Sequence, residues 1–130
     1  MRDGRTHRVR SDGEARDFLK RNRASLTILK GPAAGSEFPL AEVRTVIGRS
    51  AASGIRLDER SVSHEHAAIE LGSDGFGVRD LASTNGVRVN GAAVQAGDLA
   101  HGDRLEIGGC ELQYVVEPRD SGRTWPLDGV

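Results

Sequence analysis

The chain has a single cysteine, Cys110, and that alone excludes an intramolecular disulfide and any cysteine-rich zinc site. A reducing compartment follows as the simplest expectation, and we expect a cytoplasmic protein. Aromatic residues make up only 4% of the sequence, with one Trp and one Tyr, so no aromatic series is available to stack exposed bases. No apolar run approaches membrane-spanning length, and the first residues alternate charge and polarity with no apolar stretch of the kind a secretory signal carries. The formal net charge is -1, which leaves no overall basic field to draw the protein onto nucleic acid or an anionic membrane. No segment repeats with a fixed period.

What is present is an uneven chain of 130 residues, a length that suits one domain with a substantial core and short tails. Before Leu26 stand eight basic residues and four acidic ones, out of totals of 18 and 19, so the N-terminal segment is cationic and the remainder acidic. Residues 1–25 lack alternating apolar positions. Within them one weak helical patch, residues 14–23, has the adjacent Phe18 and Leu19 as its only large apolar side chains. This segment reads as a basic, mostly disordered arm. Residues 117–130 again lose their pattern around two prolines, two glycines and Trp125, and read as a flexible C-terminal tail.

Between them the texture is that of a compact all-β domain: short apolar runs broken every few residues by Gly, Pro, Asn, Asp and Ser. Strands are expected at residues 26–30, near Phe38, and at 43–48, 55–57, 66–71, 76–80, 87–89, 92–95, 104–107 and 110–116. The segments Gly72-Ser73-Asp74-Gly75 and Asn90-Gly91 are hairpin signals, because such residues tolerate the positive φ that tight turns require. About ten or eleven short strands joined by tight turns point to a twisted antiparallel sandwich. The 17 glycines serve as punctuation.

Three separated motifs fall in the expected loops: Gly48-Arg49-Ser50, Ser63-His64-Glu65-His66, and Ser83-Thr84-Asn85-Gly86 followed by Asn90-Gly91. Loops on a rigid scaffold are where binding residues concentrate. Together they offer one permanently charged guanidinium, several hydroxyls and a carboxamide, and the third motif contains no carboxylate to act as a base. That chemistry suits holding an anion and gives little with which to cut a bond.

In this order and at these spacings the motifs resemble those of a forkhead-associated (FHA) domain, over residues 26–116. The resemblance implies an all-β fold of the FHA/SMAD-like kind, an eleven-stranded antiparallel twisted β-sandwich that binds phosphothreonine peptides through loops at one end. By the same resemblance Arg49 is the principal phosphate ligand, Ser63 and Thr84 donate hydroxyls to phosphate, and Asn85 grips the peptide main chain. Ser50 is a further candidate ligand. Gly48, His66, Gly86, Asn90 and Gly91 are expected to support the binding loops, His66 by hydrogen bonds.

His64 departs from the family pattern, which commonly has Arg directly after the serine. An imidazole there offers one donor when neutral, and two donors with a charge when protonated, so phosphate binding through it would be pH-sensitive.

The implied partner is a phosphothreonine-containing protein, such as a Ser/Thr kinase or its substrate, with no cofactor, no metal, no membrane and no nucleic acid. A phosphorylated arm offers a second ligand, since Thr6 lies in the basic stretch Arg5-Thr6-His7-Arg8. Two alternatives stand beside this reading. One keeps the fold as a scaffold or oligomerisation subunit with an idle phosphate pocket. The other is a metal-dependent hydrolase built on His64, Glu65 and His66, whose two histidines would share one face of a strand; the sequence has no Walker-type loop, no Gly-x-Ser-x-Gly elbow and no His-Glu-x-x-His helix.

Overall fold

A computed structural model describes residues 12–119. One helix is followed by eleven strands: α1 (Asp12–Arg21), β1 (Asn22–Lys30), β2 (Glu37–Pro39), β3 (Arg44–Gly48), β4 (Ile55–Arg56), β5 (Ala67–Gly72), β6 (Gly75–Asp80), β7 (Val87–Val89), β8 (Ala92–Val94), β9 (Ala96–Asp98), β10 (Arg104–Ile107) and β11 (Cys110–Pro118). They form two sheets, one in the order β2-β1-β11-β10-β7-β8 and one in the order β4-β3-β5-β6-β9.

Alternation puts every second side chain between the sheets. Leu26 and Ile28 of β1, Leu105 and Ile107 of β10, and Leu112 and Tyr114 of β11 face Ile47, Ile55, Ile69, Leu71, Phe76 and Val78 of the other sheet, all of them buried. The outer positions of the same strands, such as Arg104, Glu106 and Glu111, are polar and reach solvent to varying degrees.

The sandwich is antiparallel except at one place. β3 and β4 pair in parallel, Ile47 with Ile55 and Gly48 with Arg56. This happens because the chain leaves β3 at Gly48, makes a full loop and returns in the same direction, and the register sets the position of Arg49 at the strand end. β9, an Ala-Gly-Asp segment with no apolar alternation, adds an edge strand on β6 that sequence pattern does not signal.

Both ends of the sandwich differ from the sequence reading. β1 begins at Asn22, ahead of Leu26, and α1 precedes it directly, so the second half of the expected arm is ordered. The cause is Phe18, which is buried against Phe76 in an edge-to-face contact at 6.1 Å between ring centroids; Phe76 in turn meets Tyr114 edge-to-face at 6.4 Å. The Tyr114 hydroxyl accepts the backbone N–H of Phe76 at 3.2 Å. Carbonyls at the C-terminal end of a helix have no partner within it. Here Phe18 O accepts from Asn22 Nδ2, Leu19 O from Arg119 Nε at 2.7 Å, and Arg21 O from Arg119 N at 2.8 Å. β11 accordingly runs two residues past Val116. Thr6 and Trp125 lie outside the described residues.

Candidate functional site

The antiparallel registers bring four connections to one end of the sandwich: β3 to β4, β4 to β5, β6 to β7, and the β10–β11 turn. Arg49, at the end of β3, is fixed by its own backbone, whose N–H donates to Ser63 O at 2.9 Å, and by its side chain, whose Nε donates to Val62 O at 3.0 Å. The second bond orients the guanidinium plane. Among the described residues nothing accepts from its two Nη groups, so they form a fork with donors to spare.

Gly48 is required because of the next loop. A Cβ at this position would overlap the carbonyl oxygen of His64, so any side chain would push the β4–β5 loop away from β3. The loop is tied there by Ser50 N to His64 O at 3.1 Å and His66 N to Ile47 O at 2.8 Å. The Ser50 hydroxyl caps its own turn by accepting from Ala52 N at 3.1 Å.

His66 is fully buried, and both ring nitrogens are used. Nδ1 lies 3.0 Å from the backbone N–H of Ser63, which can only donate, so Nδ1 is the acceptor and the proton sits on Nε2, 2.7 Å from the carbonyl of Gly86. One neutral imidazole therefore joins the β4–β5 loop to the β6–β7 loop. His64 points the other way and is exposed. The shared-face expectation for the two histidines fails because they precede β5, where the chain turns into the strand. Among the described residues no group of three His, Cys, Asp or Glu side chains could hold a metal ion.

Ser63 Oγ accepts the backbone N–H of Thr84 at 3.0 Å, which leaves its own O–H as a free donor. Thr84 is exposed. Asp80 Oδ1 accepts from Ser83 N at 3.0 Å and Ser83 Oγ accepts from Gly86 N at 2.9 Å, so the β6–β7 turn closes on its own short polar side chains, helped by Gly86 at φ 78°. Asn85 donates through Nδ2 to Ser61 O at 2.7 Å.

Arg49, Ser63, Thr84 and Asn85 are thus gathered on three linked loops, with His64 and Ser50 beside them. Asn90 and Gly91 are not among them. They make the β7–β8 turn at the other end of β7, with φ of 51° and 88°, where Asn90 bonds Asp103 and the backbone of Arg104. Their support goes to that hairpin rather than to the binding loops, because β7 carries the chain away from the site before the turn begins.

Sequence reasoning passed over Glu59 and Ser61. The Glu59 carboxylate accepts from both the N–H and the hydroxyl of Ser61, and Gly109 N donates to Ser61 Oγ at 2.7 Å. The Ser61 hydroxyl, and after it the Ser61 backbone N–H, hold the Glu59 carboxyl below its ordinary value of 4.5. The carboxylate form is the one favoured by folding, so its contribution is present above that ordinary value and is lost as pH falls through the lowered one. No local pattern marks this pair, since one partner is a turn 48 residues away.

Two sheets closed over one core, with polar loops gathered at a single end and spare donors facing outward, define a β-sandwich ligand-binding domain. Residues 27–117 match the family described as the inner membrane component of T3SS, cytoplasmic domain, which is FHA-like. A solved structure described as a structural and functional analysis of phosphothreonine-dependent FHA domain interactions is 33% identical with a TM-score of 0.69, covering 74% of this chain and 98% of that one. The glycogen accumulation regulator GarA of Mycobacterium tuberculosis is 39% identical over 104 residues, 78% of this chain and 64% of the relative, so this chain spans less than two thirds of that protein. The oxoglutarate dehydrogenase inhibitor of Corynebacterium efficiens is 35% identical over 102 residues, 78% of this chain and 72% of the relative. The chain belongs to the FHA family.

Proposed function

We propose that this protein is a phosphothreonine-dependent protein–protein interaction module that recognises a phosphorylated partner in Ser/Thr kinase signalling. A phosphothreonine carries close to two negative charges near neutral pH and three strong acceptor oxygens. The observation that carries the reading is the convergence on one end of the sandwich of donors with no other partner among the described residues: the two Nη groups of Arg49, the O–H of Ser63 and the side chain of Thr84. In this reading Arg49 is the principal phosphate ligand, with Ser63 and Thr84 beside it and His64 and Ser50 at the margin. Asn85 contacts the peptide main chain. Gly48, His66 and Gly86 hold the loops in place.

The protein acts by binding and carries out no reaction. The names of two relatives, a glycogen accumulation regulator and an oxoglutarate dehydrogenase inhibitor, support a role in which a phosphorylated partner switches the contacts of a metabolic regulator. A cytoplasmic location suits such partners. No helix among the described residues is long and apolar enough to cross a membrane.

The test is a titration against a degenerate phosphothreonine peptide library, with phosphoserine and unphosphorylated libraries as controls. Charge-assisted hydrogen bonds contribute roughly 1.5 to 3 kcal/mol each, so Arg49→Ala lowers affinity at least about tenfold to a hundredfold. Wild-type affinity in Arg49→Ala would refute the reading.

A further inference from the structure

We infer that Ser61 is a positioning residue of the peptide site, acting through Asn85, and that the β10–β11 turn is the anchor against which it works. This deepens the phosphopeptide reading above and rests on it. The bond between Asn85 Nδ2 and Ser61 O, at 2.7 Å, has a consequence for the rest of the carboxamide. A carbonyl accepts and cannot donate, so the nitrogen must face Ser61 and Oδ1 must face away. Asn85 therefore presents an acceptor, together with its second N–H, in a fixed direction on an exposed loop. A peptide main chain, with its own N–H and C=O, is the matching ligand.

The orientation is only as firm as Ser61, and Ser61 is held on every polar atom. Its N–H and O–H both donate to Glu59 Oε1, its Oγ accepts from Gly109 N at 2.7 Å, and its carbonyl takes Asn85. The turn beneath is shaped for the purpose. Gly108 has φ 59°, and a Cβ on it would lie 2.7 Å from both the carbonyl oxygen and the hydroxyl of Ser61. Glycine here lets the turn approach Ser61 closely, and Gly109 N–H then holds it. The phosphate-facing groups are fixed by other bonds, Ser63 through His66 and Thr84, and Arg49 through Val62 and Ser63. Main-chain recognition and phosphate recognition thus rest on different hydrogen bonds, both sets of which join the β4–β5 loop to the β6–β7 loop.

The experiment compares wild type, Ser61→Ala, Glu59→Gln, Asn85→Ala and the Ser61→Ala/Asn85→Ala pair in the full chain. The probes are the tightest-binding phosphothreonine peptide from the library, titrated calorimetrically, and inorganic phosphate, followed by the NMR shift of the Arg49 amide. Ser61→Ala is expected to weaken the peptide about three- to tenfold, the worth of one oriented hydrogen bond, and to leave inorganic phosphate unchanged. In the Asn85→Ala background it costs nothing further. Glu59→Gln follows Ser61→Ala with a smaller loss, and serves if Ser61→Ala folds poorly. An equal loss for peptide and inorganic phosphate, or a loss that adds to that of Asn85→Ala, overturns the inference. If wild type binds no phosphothreonine peptide, the phosphopeptide reading fails and the positioning role falls with it. The hold of Ser61 on Asn85 is then decided separately by hydrogen exchange of the Asn85 side-chain amide: faster exchange in Ser61→Ala supports it, and unchanged exchange overturns it.

Discussion

The two ends of the sandwich are closed by different chemistry. At the end where α1 enters, the closure is centred on apolar rings, with polar caps only on the helix carbonyls at the rim: Phe18, Phe76 and Tyr114 stack edge-to-face, and a Cβ on Gly75 would meet the Phe18 ring at 3.3 Å. At the loop end the closure is polar. His66, Ser61 and Ser63 join one loop to another through backbone N–H and C=O groups, Glu59 and Ser83 brace their own loops, and the side chains without a partner among the described residues face outward. Apolar contact is non-directional and contributes stability roughly in proportion to area. Hydrogen bonds contribute little net stability and fix direction well. One end therefore carries stability and the other carries geometry.

That division can be broken by substitution, beginning with the largest effect. Phe18→Ala removes the ring that seals the apolar end and is expected to destabilise the fold by about 3 kcal/mol, read by chemical denaturation, while phosphopeptide affinity at low temperature stays within about twofold. His66→Ala is the case in which the two properties meet. It leaves the Ser63 N–H and the Gly86 carbonyl without partners in a partly buried place, at a cost of about 2 kcal/mol in stability, and it also loosens Ser63, so affinity falls with it. His64→Ala has the smallest effect, because the side chain is exposed and bonds nothing among the described residues. A loss of up to about threefold in phosphopeptide affinity is expected from the calorimetric titration, and wild-type affinity would remove His64 from the site.

The features legible in the sequence are those written locally. Strand alternation is visible in Leu105-Glu106-Ile107 and in Leu112-Gln113-Tyr114, where inner and outer positions differ in residue type. The β5–β6 and β7–β8 turns are visible because Asp-Gly and Asn-Gly carry a backbone requirement on the residue itself. The loops of the candidate site are visible because Gly48-Arg49-Ser50, Ser63-x-x-His66 and Ser83-Thr84-Asn85-Gly86 keep the order and spacing of FHA motifs.

Features that depend on distant partners were not legible. Phe18 and Leu19 look like a poor helix until Phe76 and Tyr114 supply the surface that Phe18 covers. Ser61 looks like one more polar loop residue until the Gly108-Gly109 turn arrives beneath it. The opposed orientations of His64 and His66 depend on where β5 begins, one residue after His66, and residue type says nothing of that. Asn90-Gly91 illustrates the converse: its turn chemistry is plain, but its place in the fold is set by the direction of β7, which carries it away from the loops it accompanies in sequence.

The measurement that tests the central claim most directly is a calorimetric titration of the selected phosphothreonine peptide into wild type, Arg49→Ala and Phe18→Ala, with a denaturation curve for each protein. The account predicts that Arg49→Ala loses at least about tenfold in affinity and no more than about 1 kcal/mol in stability, the bond to Val62 O, while Phe18→Ala loses about 3 kcal/mol and keeps its affinity. Arg49→Ala binding the peptide as well as wild type does would contradict it.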